Sequence, residues 1–387
     1  VKDSTKAIRG QIDRSSYREH SVPMFLTSSF VYESAEHAEQ MFAGEGEGDI
    51  YSRFSNPNTT ELINKFCALE GAESGVATAS GMAAVFMTIA AHLTSGDHIV
   101  ACTSLFGNTR YIIQHILPSW GITHEFVDAQ DMGGWESAIT DRTKMVMIET
   151  PTNPGLDILD MARLAELCKR SGTIFCVDNC FATPILQKPI EYGADIVIHS
   201  ATKWIDGQGR VLGGLVVGSD DYITPIFDFL RRTGACLSPF NAWLLSKSTE
   251  TLGIRMNRHC ETALSIAERL EVHSKVKRVR YPHLPSHPQY DLAKQVMTQG
   301  GGIITVDLDA KKEGAFTFVN ALKLPTITAN LGDSRTIVTH PATTTHSKLS
   351  TEEQEHAGIH MSTLRFSIGL ENAEDILNDL HQALDKI

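Results

Sequence analysis

Between residues 99 and 217 the chain returns repeatedly to short runs that are apolar at nearly every position: Ile99 to Cys102, Glu125 to Val127, Met145 to Ile148, Ile174 to Val177, Ile196 to Ile198 and Leu215 to Val217. A strand with one wet face alternates polar and apolar residues. A run without alternation has no side to offer to water and must be covered on both. Helical stretches fall between the runs, as where Asp160 can cap a helix that turns Met161, Leu164, Leu167 and Cys168 to one side. Buried strands joined by helices predict a mostly parallel sheet with helices on both faces, an α/β unit. Upstream, Thr59 or Asn58 is placed to cap a helix carrying Leu62, Phe66 and Leu69, with Gly71 at its left-handed end. The uncharged stretch from Gly75 to Leu93 holds Thr78, Ser80, Gly81, Thr88 and His92, and reads as a buried turn and helix rather than a membrane span.

After about residue 255 the rhythm changes to strand candidates Ile303 to Leu308, Thr336 to Thr339 and Thr363 to Ile368, then a helix carrying Ile376, Leu380 and Leu384. The expected organisation is an arm over 1–55, an α/β domain over 56–254 and a smaller α+β domain over 255–387. The arm lacks sustained periodicity and contains GEGEGD, which predicts extended chain reaching a neighbour. With 387 residues there is chain enough for two or three domains. A net charge of −12 repels phosphate backbones and anionic lipid, so neither nucleic acid nor membrane is expected as a partner. Seven cysteines without a CxxC pair indicate no disulfide framework and no thiolate zinc site, as suits a reducing cytoplasm. Cys176, Cys180, His340 and His346 match no ligand spacing, so no metal is expected. The leading segment VKDSTKAIRGQ lacks the apolar centre of a signal peptide.

Three constellations carry chemistry. SATKW puts Lys203 just beyond the buried run DIVIH, at the strand end where open α/β sheets collect ligands. A lysine against apolar surroundings has a depressed pKa and becomes an amine nucleophile able to form a Schiff base with an aldehyde; its plain alternative is an exposed surface lysine. Asp178 ends the run IFCVD, where it can cap the next turn or hold a pyridinium nitrogen protonated, making a pyridoxal ring an electron sink. ASGMAAVF leads through Ser80 and Gly81 into an apolar helix, either as a close packing or as a phosphate seat of bare N–H groups. No GxGxxG and no Walker A sequence is present. Together the three supply a phosphate seat, an acid for a ring nitrogen and an amine for an aldehyde.

These residues resemble the Cys/Met-metabolism family of fold-type I pyridoxal phosphate enzymes, nearly end to end. The resemblance implies an aspartate aminotransferase-like large domain, pyridoxal 5'-phosphate as cofactor, and a homo-oligomer, a dimer of dimers. By the same resemblance YSRFSNPNT nominates Tyr51 and Arg53 for a neighbouring subunit's cofactor, and ASGMAA nominates the amides of Gly81 and Met82 for phosphate. ETPTNP places Asn153 near the ring's phenolic oxygen, and VDN makes Asp178 the pyridinium partner. SATK makes Ser200 and Thr202 phosphate ligands and Lys203 the Schiff base, while ANLGD and STLRFSIG nominate Asn330 and Arg365 for the substrate carboxylate. In SLFGNT the usual ring-stacking tyrosine is Phe106, which stacks but cannot protonate a leaving group. A thiolate, whose thiol has a pKa of about 8.5, needs such an acid, whereas a carboxylate near roughly 4 does not. Asn108 stands where methionine γ-lyases carry cysteine, and GQGR after the lysine is similar to O-succinylhomoserine sulfhydrylases. The expectation is γ-replacement, O-succinyl-L-homoserine plus sulfide giving L-homocysteine plus succinate, with Lys203 and Tyr51 catalytic. Cystathionine γ-synthase and a methionine or cystathionine γ-lyase are the alternatives. Arg110 and Arg210 are open candidates for the distal succinyl carboxylate.

Overall fold

The computed structural model describes residues 1–387, the side chain of His356 excepted. Seven strands form one sheet: β1 (Ser74–Thr78), β2 (His98–Cys102), β3 (Thr123–Val127), β4 (Thr143–Glu149), β5 (Ile174–Asp178), β6 (Ile196–Ser200) and β7 (Gly214–Gly218), in the order β1-β7-β6-β5-β4-β2-β3. β2 to β6 pair in parallel, while β7 runs antiparallel to both β6 and β1. Each unbroken apolar run falls in one of these strands, and β2 and β7 are buried throughout. Edge strand β3 alternates instead, its Thr123 and Glu125 facing water.

A second sheet of β8 (Val276–Arg280), β9 (Ile303–Leu308), β10 (Thr326–Ile327), β11 (Ile337–Thr339) and β12 (Thr363–Ser367) is ordered β10-β11-β12-β9-β8 and is antiparallel except for β10 beside β11. The helix Ala373–Leu384 covers it through Ile376, Leu380 and Leu384. The 20-residue helix Leu252–Glu271 joins the two cores: Leu252, Met256 and Cys260 belong to the first, Ala263, Ile266, Ala267 and Leu270 to the second.

Three local expectations are corrected. The first helix, Pro57–Glu70, is capped by Asn56, not by Asn58 or Thr59; Asn56 accepts from the Asn58 N–H, and Thr59 completes a capping box. The stretch from Gly75 begins inside β1 before the helix Gly81–His92. The arm is not extended throughout, since Asp3–Arg9 and Ala35–Ala43 are helical. Among the described residues no helix is long and apolar enough to cross a membrane.

Candidate active site

The strand order reverses between β2 and β4, so their onward connections leave on opposite faces and a crevice opens at the carboxyl ends of the strands. A cavity of about 430 Å³ lies there, lined by residues that follow β1, β2, β4, β5 and β6 and by Arg365 of β12. It gathers Gly81, Met82, Phe106, Asn153, Asp178, Ser200, Thr202, Lys203 and Arg365 from distant parts of the chain.

At the amino end of the helix Gly81–His92, Ser80 caps the first turn by accepting from the Ala83 N–H at 3.1 Å. A Cβ added at Gly81 would lie 2.6 Å from the Ser200 Cβ and 2.7 Å from its Oγ, so only glycine leaves the seat open. Bare amides, a helix N-terminus and two hydroxyls form a donor set for a phosphate. Thr202 Oγ1 also accepts the Gly213 N–H at 3.2 Å, which fixes the loop after β6.

Lys203 follows β6 in a tight turn whose neighbours Ala201 and Trp204 are fully buried. Arg255 anchors the turn by donating to the carbonyls of Trp204 and Ile205, at 2.5 and 3.0 Å. Lys203 Nζ donates to Asn330 Oδ1 at 2.7 Å. The Asn330 loop is pressed close: Gly332 has φ +74°, and a Cβ there would come 2.6 Å from the Trp204 nitrogen. Burial lowers the Lys203 pKa below the lysine range, and the Arg365 charge adds to the effect.

Asp178 accepts the Cys180 N–H on Oδ1 at 3.0 Å, and burial pushes its carboxyl up to about 6. Such a carboxylate is stabilised by a cation, and a pyridinium is one. Arg365, 2% exposed, donates to Asn153 Oδ1 at 2.9 Å and to the Asn330 carbonyl at 3.1 Å, and its buried Nε has no partner. Burial brings its pKa down to about 10, which leaves it cationic at neutral pH.

Tyr51 and Arg53 lie outside this cavity. Tyr51 is 39% exposed, and Arg53 stacks over Tyr51 and Phe54 at 5.4 and 4.9 Å while donating to the Arg231 carbonyl. Arg110 also points away: it pairs with Glu353 at 3.1 Å, donates to the Thr103 carbonyl and stacks on Phe126. Arg210 borders an adjoining cavity shared with Lys203 and Asn330, but Asp206 holds its Nε at 3.0 Å and Ser248 its Nη2. Sequence reasoning missed Glu149, a buried carboxylate in the cavity wall, although it ends the run KMVMIE just as Asp178 ends IFCVD. Among the described residues no group of His, Cys, Asp and Glu is arranged to hold a metal ion.

The chain is similar to known proteins along nearly its whole length. The family model for Cys/Met metabolism PLP-dependent enzymes matches residues 4–385. The chain is 43% identical over 380 residues to an O-succinylhomoserine sulfhydrylase of Pseudomonas aeruginosa, covering 98% of this chain and 94% of the relative. It is 42% identical over 386 residues to an L-methionine gamma-lyase of Fusobacterium nucleatum, covering 99% and 98%. A Campylobacter jejuni structure designated O-acetylhomoserine (thiol)-lyase, carrying N'-pyridoxyl-lysine-5'-monophosphate, superposes with a TM-score of 0.95 at 33% identity over the whole of both chains. The chain therefore belongs to the Cys/Met metabolism enzymes, and its cofactor is pyridoxal 5'-phosphate.

Proposed function

We propose that the protein catalyses γ-replacement on O-succinyl-L-homoserine, with sulfide as acceptor, releasing L-homocysteine and succinate. The observation that carries this reading is the cavity wall at Phe106: among the described residues no tyrosine of the same chain lines the cavity, so the position that packs on the ring offers the leaving group no phenol, and Tyr51 of a neighbouring copy is the one phenol left for that part. A carboxylate departs without one, whereas a thiolate does so poorly. Asn108, also in the wall, provides no thiol of the kind expected in a methionine γ-lyase.

In this reading Lys203 holds the cofactor's aldehyde carbon, Asp178 its ring nitrogen, and Asn153 its phenolic oxygen. The amides of Gly81 and Met82, with Ser200 and Thr202, hold its phosphate, and Phe106 packs on the ring. The bound cofactor supplies a sink for the electrons released at the substrate's Cα. Arg365 grips the substrate α-carboxylate with its guanidinium fork, and Asn330 aligns both that arginine and Lys203. When not bonded to the cofactor, Lys203 would take the Cα proton, and burial, by lowering its pKa below the usual lysine range, favours the neutral amine that a base needs. The same amine is placed to move the Cβ proton and to return both as sulfide replaces succinate at Cγ. A comparison of succinyl, acetyl and phosphoryl homoserine esters with sulfide and with cysteine tests the reading. We expect the succinyl ester with sulfide to give the highest kcat/KM; rapid cystathionine formation from cysteine without homocysteine from sulfide rejects it, and keto-acid release from methionine favours the lyase.

Tyr51, exposed, and Arg53, half-buried, both outside the cavity, are proposed to complete the site of a neighbouring copy, which makes a dimer the smallest active unit. Neither Lys203→Ala nor Arg53→Ala should be active alone. Random one-to-one mixing should restore about a quarter of the unaltered activity, since half the dimers are mixed and one of their two sites is intact. No recovery in verified mixed dimers refutes shared sites.

A further inference from the structure

Glu149 is the one carboxylate in the cavity wall for which the reaction above has no use. It ends β4, pairs in register with Asp178 on β5 and is 4% exposed. Register partners on adjacent parallel strands share a face of the sheet, so two carboxyl groups sit about 5 Å apart at the backbone and face one cavity. A buried run that continued with a hydrophobe would avoid this repulsion. Burial first, and then the Asp178 charge, raises the Glu149 carboxyl well above its usual range, opposed by the Phe106 N–H and by Arg365.

The contact that offsets this is specific. Phe106 follows β2, on the far lip of the crevice where the strand order reverses, and its N–H donates to Glu149 Oε2 at 2.7 Å. Phe106 precedes the helix Gly107–Tyr111, which has no side-chain cap, so the Glu149 bond pins the residue that launches that helix. At 2.7 Å the bond lies at the short end of the N–H to oxygen range, so the amide and the carboxyl oxygen are held firmly together.

We propose that Glu149 is a positioning residue for the cofactor: by spanning the crevice to the Phe106 amide it seats the aromatic wall, and it ties that wall to the same strand pair that carries Asp178. The ring's stacking partner and its nitrogen partner then share one frame. Glu149 itself touches neither substrate nor reacting atoms. The proposal rests on Phe106 packing against the cofactor, and the experiment separates the two.

The test compares Glu149→Gln, Glu149→Leu, Phe106→Leu and the Phe106→Leu/Glu149→Leu double variant, titrating pyridoxal phosphate back into resolved protein. Cofactor affinity is read by absorbance, and seating of the ring by induced visible circular dichroism. Glutamine keeps an oxygen acceptor, so E149Q should hold affinity within about threefold and retain the dichroic band. E149L leaves a buried N–H unsatisfied and should weaken affinity roughly tenfold and diminish the band. Because both residues act through one ring, the double variant should be no worse than F106L alone. Loss of thermal stability in E149L with unchanged affinity and dichroism, or additive losses in the double variant, overturns the role of Glu149. An F106L protein indistinguishable from the unaltered one removes Phe106 from the cofactor's face and overturns the proposal at its premise.

Discussion

Replacing Lys203 with alanine should lower turnover of homoserine esters by at least about 10³-fold, since in the proposed reading one amine serves both as covalent anchor and as proton carrier, and proton transfer alone contributes roughly 10² to 10⁴. No neighbour can substitute for it. Cys180, the thiol in the cavity wall, is raised out of the reactive range by burial. Asn330, 2.7 Å from Nζ, has no basic nitrogen to offer. The variant should also lose the visible absorption band that borohydride bleaches in the unaltered enzyme. In unaltered protein treated with borohydride, mass spectrometry should find the pyridoxyl mass on the peptide containing Lys203; finding it on another side chain refutes the assignment. Steady-state kinetics and the absorption spectrum give independent readings.

Asp178→Asn should cost about 10² to 10³ in kcat, because the charge proposed to face the ring nitrogen is removed from a water-poor site. The same residue predicts a pH effect in the cofactor-free protein. Its carboxyl is raised by folding to about 6, so between the ordinary aspartate range and 6 the folded state binds the proton that the unfolded state has lost. Stability therefore falls as pH rises through this window, and the penalty is fully present above 6. Urea unfolding of the cofactor-free protein at pH 7 and pH 5 should show a gain on acidification that shrinks in Asp178→Asn. An equal gain in both proteins would place the titrating group elsewhere.

The parallel strands were legible because β4, β5 and β6 are covered on both faces, which leaves almost no polar position to blur them. β1 was not, since SGVAT is small and partly polar and draws its stability from antiparallel pairing with β7, more than a hundred residues away. β8 reads VKRVR, and its arginines make sense only beside Asp307 of β9, which pairs with Arg278 and Arg280. β10 is two exposed residues with no pattern to detect. Asp178 is legible as a charge that closes an apolar run, and Lys203 as one a few residues beyond such a run. Glu149 closes its run in the same way, but the resemblance gives ETPTNP a role only through Asn153. Nothing local to Arg110 announces that Glu353, 243 residues on, will engage it. The orientation of Arg53 is likewise set in part by a distant partner, the Arg231 carbonyl, which its own segment does not announce.

The helix Leu252–Glu271 spans about 30 Å of unbroken backbone. Because its first turns finish one core and its last turns another, it works as a strut between the sheet that presents the amine and the sheet that presents the guanidinium. In the proposed reading, the separation between Lys203 and Arg365 that a substrate would span is thereby set by the packing of one helix before any ligand arrives.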